Sequence, residues 1–153
     1  MDNSYLNKTK YEFMNVLEVN LVGMFLCNQI YSRYFSDGLI INMSSTDGID
    51  TYSEYSIDYS VSKAGIICMS KNISMCTKNK VVCLCPNWID SDSTRSMDEG
   101  YLKSELTRIG QSRLITIDEL IMVINDVINF KYNSGDVIRI DIKDDKLWIK
   151  KMS

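Results

Sequence analysis

A tyrosine and a lysine lie four residues apart, at Tyr59 and Lys63, in the segment YSVSKAG. On a helix the two side chains would share one face, where an ammonium can act on a phenol. Such a phenol could transfer protons as a general acid or base. The chain has nine tyrosines and twelve lysines, so about one such spacing is expected by chance. The pair indicates chemistry only if its surroundings support it.

The residues before this pair predict a place for it in a sheet. Leu39 to Met43 is a short apolar run, typical of a parallel strand covered on both faces. Ser44, Ser45 and Thr46 follow at its carboxyl end, where open parallel sheets bind ligands. A helix from about Ser56 to Met75 would then carry Tyr59 and Lys63.

The remaining periodicity predicts an α/β domain over residues 1–153. Two capping-box patterns, Thr9 with Glu12 and Thr116 with Glu119, each indicate a helix start. Strands alternate with helices, which implies a parallel sheet with right-handed crossovers. The expected fold is an incomplete doubly wound, Rossmann-like parallel sheet with three core strands, flanking helices and an open edge. The predicted elements are helices 10–35, 56–75, 96–109 and 116–129, strands 39–43, 81–85 and 137–142, and a terminal hairpin at 147–149.

Composition excludes several classes of function. A net charge of −3 and a pI near 5.0 argue against a nucleic-acid partner. We find no uninterrupted apolar run that could span a bilayer and no signal-peptide core at the N-terminus, so we expect a cytoplasmic protein without a membrane partner. The absence of histidine removes Ser-His-Asp hydrolysis, Cys-His proteolysis and histidine-based proton transfer.

The five cysteines at positions 27, 68, 76, 83 and 85 form no Cys-x-x-Cys pair. With no histidine to complete a ligand set, we expect no metal site. Buried, reduced thiols are the simpler interpretation.

At this point the order of motifs resembles a known family. The chain is similar to the C-terminal part of a compact short-chain dehydrogenase/reductase. The resemblance rests on five segments in family order: Asn20 within EVNLVGMF, Ser45 within LIINMSSTDG, Tyr59-Ser-Val-Ser-Lys63, Pro86-Asn-Trp-Ile-Asp-Ser91, and the closing pieces 113–119 and 135–141.

The resemblance implies a role for each matched residue. Tyr59 would be the acid–base group, with Lys63 lowering its pKa and holding the nicotinamide ribose. Ser45 would hold the substrate oxygen, and Asn20 would hold a water that links Lys63 to solvent. The implied catalytic residues are Asn20, Ser45, Tyr59 and Lys63, and the implied residues for binding NAD or NADP are Tyr59, Lys63, Pro86, Asn87, Ile89 and Ser91. The segment 96–109 would be a substrate lid.

The chain departs from the family pattern in several places. It has no Thr-Gly-x-x-x-Gly-x-Gly turn and no Asn-Asn-Ala-Gly segment, so the N-terminal half that cradles the cofactor pyrophosphate is absent. Asn87 replaces a glycine, which suits a residue tolerant of left-handed backbone geometry. Ser91 replaces threonine, and could equally be a structural hydroxyl. Ile142-Lys143 replaces Gly-Gly, so we expect a rebuilt C-terminal tail.

Three hypotheses follow. The first is an NAD(P)-dependent oxidoreductase, similar to 3-oxoacyl-carrier-protein reductases, that acts on a small carbonyl or alcohol with a complementing N-terminal half. The second is a truncated, non-catalytic relic that serves as a partner-binding subunit. The third, an epimerase or dehydratase of the extended type, is disfavoured by the short chain and the Pro86 segment. By resemblance, helices 10–35 and 56–75 would form a dimer interface and the last strand would help to make tetramers.

Overall fold

The computed structural model describes residues 5–152, which form a four-stranded sheet between two helical layers. The elements in chain order are α1 Lys10–Leu17, a π-turn Glu18–Val22, α2 Gly23–Tyr34, β1 Leu39–Met43, a 3₁₀ turn Thr46–Gly48, α3 Ile57–Cys76, β2 Lys80–Pro86, α4 Asp92–Arg95, α5 Glu99–Ile109, α6 Ile117–Ile128, β3 Val137–Lys143 and β4 Lys146–Met152.

The sheet has the order β1-β2-β3-β4. β1 pairs with β2 and β2 pairs with β3, both parallel, whereas β4 returns antiparallel to β3. The α/β fold with a parallel sheet is therefore confirmed. The three predicted core strands are present, and the predicted terminal hairpin at 147–149 is part of a fourth strand, β4, which pairs with β3 along seven residue pairs.

A tight turn joins β3 to β4. Asp144 and Asp145 both have positive φ, at 48° and 61°. Two successive left-handed residues match the right-handed twist of the strands they join, as in a type I′ hairpin. Aspartate enters this conformation more readily than most side chains. The chain thus turns tightly after Lys143 and pairs again at once.

The side chains of β2 alternate between the two faces of the sheet. Val82 and Leu84 pack with Val123 and Val127 of α6 in the larger core. Cys83 and Cys85 face the other way, against Ile66 of α3 and the partly buried Leu21 and Met24. All of these β2 side chains are fully buried, as expected of a strand covered on both faces.

The predicted helix boundaries hold to within a few residues, and both capping boxes are present. The predicted helix 96–109 corresponds to α5, which begins three residues later, at Glu99, because Asp98 caps its start by accepting from the Tyr101 amide at 2.8 Å. The short helix α4 precedes it and was not predicted. Of the five cysteines, Cys83 and Cys85 are buried, so the expectation of buried thiols was wrong for Cys27, Cys68 and Cys76, which are exposed.

The continuous helical segment Lys10–Tyr34 leaves much of its apolar surface exposed. It spans 25 residues with a mean hydropathy of 1.2 in its most apolar window, which is enough by length and composition to cross a membrane. The sequence-based statement that no segment could do so was wrong by this measure. One face nevertheless joins the domain, where the Asn28 amide exchanges hydrogen bonds of 2.9 and 3.1 Å with Asn42 of β1.

Candidate active site

A cavity of about 480 Å³ lies at the carboxyl ends of β1 and β2. The end of β1 contributes Ser45, the start of α3 contributes Tyr59 and Lys63, and α5 closes the opposite wall with Tyr101 and Glu105. Of the eight site positions predicted from the sequence, all but Asn20 line this cavity. The others are Ser45, Tyr59, Lys63, Pro86, Asn87, Ile89 and Ser91, of which Tyr59 and Lys63 were assigned to both catalysis and cofactor binding.

Local packing holds the turn after β1 against α3. A Cβ at Gly48 would lie 2.6 Å from the Lys63 carbonyl carbon and 2.7 Å from the Ala64 nitrogen, so only glycine fits there. The Ser44 hydroxyl donates to the Lys63 carbonyl oxygen at 2.7 Å. The Ser44 hydroxyl therefore fixes the turn, and both Ser44 and Ser45 line the cavity.

Tyr59 and Lys63 lie side by side in the first turns of α3. The Lys63 Nζ lies 5.3 Å from the centre of the Tyr59 ring and donates to the Met43 carbonyl oxygen at 3.2 Å. Ser45 and Tyr59 line the same cavity, and the Ser45 side chain acts to lower the pKa of the phenol. The structure therefore brings together the hydroxyl, the phenol and the ammonium that the sequence placed in one site.

The expectation that Lys63 lowers the Tyr59 pKa was wrong for this structure. Burial raises the pKa of Tyr59, the Ser45 side chain opposes that rise, and the Asp47 carboxylate adds to it. Burial also lowers the pKa of Lys63, partly offset by the nearby Cys83 and Cys85 thiols. Burial is thus the largest cause of both shifts, and it moves each pKa in the direction that favours the neutral form.

Asn20 lies outside the cavity, in a neighbouring groove of about 670 Å³ along the outer edge of β1. It lies in the π-turn Glu18–Val22, where its amide donates to Ser62 Oγ at 3.1 Å. Lys63 lines both the cavity and the groove. Asn20 and Lys63 thus line the same groove. The role of Asn20 in holding a water stays a prediction.

The segment after β2 is held by its own side chains. Asn87 does not have a positive φ, so the expectation of left-handed geometry was wrong. Its amide donates to Asp141 Oδ1 at 3.1 Å. Ser91 is the N-cap of α4, where its Oγ accepts from the Thr94 amide at 3.3 Å. Ser91 therefore has a structural task as well as a place on the cavity wall.

Sequence reasoning missed two carboxylates in the cavity wall, Asp47 and Glu105. Asp47 could have been found, because it follows Ser45 by two residues at the end of the strand. Glu105 could not, since its place depends on how α5 packs over the site. Among residues 5–152, no three or more His, Cys, Asp or Glu side chains form a group suited to a metal ion.

The family model for short chain dehydrogenase matches residues 2–102. The 3-oxoacyl-(acyl-carrier-protein) reductase FabG of Chlamydia muridarum is 29% identical over 152 residues, which cover 92% of this chain and 59% of the relative. The corresponding reductase MabA of Mycobacterium bovis is 31% identical over 144 residues, or 89% of this chain and 58% of the relative. The chain therefore spans somewhat under two thirds of the length of these relatives.

Solved structures agree on the fold. A dehydrogenase/reductase from Sinorhizobium meliloti 1021 superposes with a TM-score of 0.76 at 19% identity, covering 89% of this chain and 56% of that one. A 4-hydroxyisoleucine dehydrogenase complexed with NADH gives a TM-score of 0.73 at 22% identity, with coverages of 90% and 61%. With a family model that matches most of its length, the chain belongs to the short-chain dehydrogenase family.

Proposed function

We propose that this chain is the catalytic part of an NAD(P)-dependent oxidoreductase that reduces a small carbonyl compound or oxidises the corresponding alcohol. The observation that carries the proposal is the convergence of Ser45, Tyr59 and Lys63 on one cavity at the carboxyl end of β1. Family membership and the two related reductases support it.

The proposed chemistry assigns a task to each of these side chains. Because burial raises its pKa, Tyr59 remains a phenol at neutral pH and can give a proton to a carbonyl oxygen. The Ser45 hydroxyl, which lines the same cavity as that phenol, would donate to the same oxygen and stabilise its developing negative charge. Lys63 would position the ligand and, when charged, stabilise the phenolate that Tyr59 becomes after giving up its proton.

The residues present fit the nicotinamide end of the cofactor. Lys63 has three N–H donors, and among residues 5–152 one acceptor, the Met43 carbonyl, is within hydrogen-bond reach. The remaining donors suit ribose hydroxyls, and Pro86, Asn87, Ile89 and Ser91 line the adjoining wall. When bound, the nicotinamide would supply or accept the hydride. The NADH complex of the 4-hydroxyisoleucine dehydrogenase supports a nicotinamide, without deciding between NAD and NADP.

We propose that activity also needs a cofactor-binding half. This sequence has no glycine-rich phosphate turn. β1 is an edge strand, and the groove beside it is lined by Leu39, Ile41 and residues of the helix 10–34. Such an open edge can accept a further parallel strand. A homo-oligomer is proposed as well, because Tyr11, Phe25 and Ile30 leave 79%, 44% and 53% of their surface exposed on the long helix.

The test is carbonyl-dependent consumption of NADH or NADPH. We would assay this chain alone and joined to the unmatched N-terminal portion of the Chlamydia muridarum reductase. We expect turnover in the joined protein, because its added N-terminal portion supplies the pyrophosphate cradle. The chain alone should turn over at least a hundredfold less. If the joined protein folds, binds NADH or NADPH and consumes neither with any of a panel of ketones and aldehydes, the proposal fails.

The second candidate is a partner-binding subunit without catalysis. The exposed edge of β1 and the exposed apolar side chains of helix 10–34 favour it. It predicts stable association with a partner chain and no nicotinamide binding in a fluorescence titration. Cofactor binding by the chain, with or without turnover, would count against it.

A further inference from the structure

Asp47 gives the cavity a carboxylate on which the charge of Arg108 acts from beyond ion-pair distance. Its Oδ1 accepts from the Thr51 hydroxyl at 2.8 Å, and no ion pair among residues 5–152 includes it. Asp47 is half-buried and lines the same cavity as Ser45 and Tyr59. Partial burial raises the pKa of Asp47 and so disfavours its charged form, and a cationic ligand group beside it would stabilise that form.

The second carboxylate of the cavity, Glu105, forms an ion pair with Arg108. Glu105 is 7% exposed, and Arg108 donates to both of its oxygens at 2.8 and 3.1 Å. Arg108 also donates to the Tyr52 carbonyl oxygen at 2.9 Å and is not part of the cavity wall. The Arg108 side chain therefore holds α5 in place through Glu105 and Tyr52. Because Arg108 does not line the cavity, it is poorly placed to receive an anionic substrate.

The remaining wall supplies groups that suit a cation with hydroxyls. Among the described residues that line the cavity, Lys63 is the one basic side chain, and it lies at the Tyr59 end. Trp88 and Tyr101 add aromatic rings to the cavity wall, and such faces attract ammonium groups. Tyr101 lies close enough to Glu105 and Asp47 for their charges to act on it. The wall also contains hydroxyl groups and apolar side chains: Ser53, Ser56, Ser91, Ser93 and Thr94, with Met43, Pro86, Ile89 and Met97.

We propose that the cavity takes a small amino alcohol or the matching amino ketone, with its ammonium group on Asp47 and its oxygen on Ser45 and Tyr59. This inference rests on the proposed function and names its substrate class. The Asp47 backbone amide donates to Ser45 Oγ at 3.2 Å, so the two side chains leave neighbouring backbone and a short ligand could contact both. Carboxylate-bearing substrates of the same size are disfavoured by repulsion from Asp47.

Binding to the 153-residue chain tests the inference without relying on turnover. The probes are 1-aminopropan-2-ol, propane-1,2-diol and lactate, which share a three-carbon skeleton and differ in charge. Backbone amide shifts of Asp47 and Tyr59 would be followed by NMR at low ionic strength. We expect the amino alcohol to bind at least about tenfold more tightly than lactate, with the diol between them.

The Asp47→Asn variant should reduce that preference to within about threefold, while Asp118→Asn, an exposed carboxylate on α6, should leave it unchanged. Asparagine can still accept from Thr51, so the fold should persist and the amide spectrum reports it. Equal or tighter lactate binding, no binding of any probe, or an unchanged preference in Asp47→Asn would each overturn the inference.

Turnover separates this inference from the proposed function. A joined protein that reduces hydroxyacetone but not aminoacetone would contradict the amino-substrate class and support the oxidoreductase. A joined protein that reduces neither and no other carbonyl would refute the oxidoreductase, and the NMR result would still decide what the cavity binds.

Discussion

Replacing Gly48 by alanine should destabilise the domain and displace the site together. The new Cβ would lie 2.6 Å from the Lys63 carbonyl carbon and 2.9 Å from the Lys63 oxygen. Ordinary contact begins near 3.4 Å, so the turn after β1 must move by about 0.8 Å away from α3. Both sides of this contact are backbone, and neither can rotate away as a side chain would.

Overpacking of this kind costs about 2 kcal/mol, within the usual 1–3 kcal/mol. For a chain of this size, that loss lowers the melting temperature by about 4–8 °C. The matched control is Gly23→Ala, where the nearest atom, the Glu18 carbonyl oxygen, lies at an ordinary 3.6 Å. Since alanine favours a helix over glycine, Gly23→Ala should be neutral or slightly stabilising.

Thermal unfolding followed by circular dichroism measures both variants. In the joined protein, Gly48→Ala should also lose turnover below the melting transition, because the shift separates Ser45 from Tyr59. A melting temperature for Gly48→Ala within 1 °C of the parent, or a loss as large for Gly23→Ala, would refute the reasoning.

Two further predictions concern the scaffold. Asn42→Ala should cost about 2–3 kcal/mol in urea unfolding, because the buried Asn28 amide loses its partner at 2.9 Å; a change under 0.5 kcal/mol would contradict this. Glu119 has a pKa lowered to about 2, chiefly by its hydrogen bond from Arg113. A carboxyl pKa lowered by folding stabilises the protein above its ordinary value near 4.5 and loses that contribution as the pH falls toward 2. Glu119→Gln should therefore weaken the protein at pH 7 and flatten its stability profile between about pH 4.5 and 2, and an unchanged profile would contradict the assignment.

The sequence predicted the parts of the fold that depend on local pattern. Thr9 and Thr116 indicated helix starts correctly, because a capping box depends only on two residues that lie three positions apart in the sequence. The apolar run Leu39–Met43 predicted a parallel strand for the same reason. β4 was underestimated because its charged and exposed residues, such as Lys146 and Lys150, hide the alternation that marks a strand.

The site was predicted in outline, and its electrostatics were not. Tyr59 and Lys63 could be paired by spacing, but the degree of burial that sets their pKa values depends on packing from α5 and the turn after β1. The geometry of Asn87 was wrong because a replaced glycine indicates left-handed backbone only when the original glycine required it. Glu105 faces the cavity through tertiary packing that spacing along the chain does not reveal.

The most direct test of the central claim is the Tyr59→Phe variant of the joined protein, compared with Tyr34→Phe, which alters an exposed tyrosine. Loss of a general acid lowers the rate by about 10²–10⁴. We therefore predict at least a hundredfold fall in kcat for Tyr59→Phe, with little change in NADH or NADPH affinity, and a kcat within twofold of the parent for Tyr34→Phe. A Tyr59→Phe protein that turns over as fast as the parent would contradict the account.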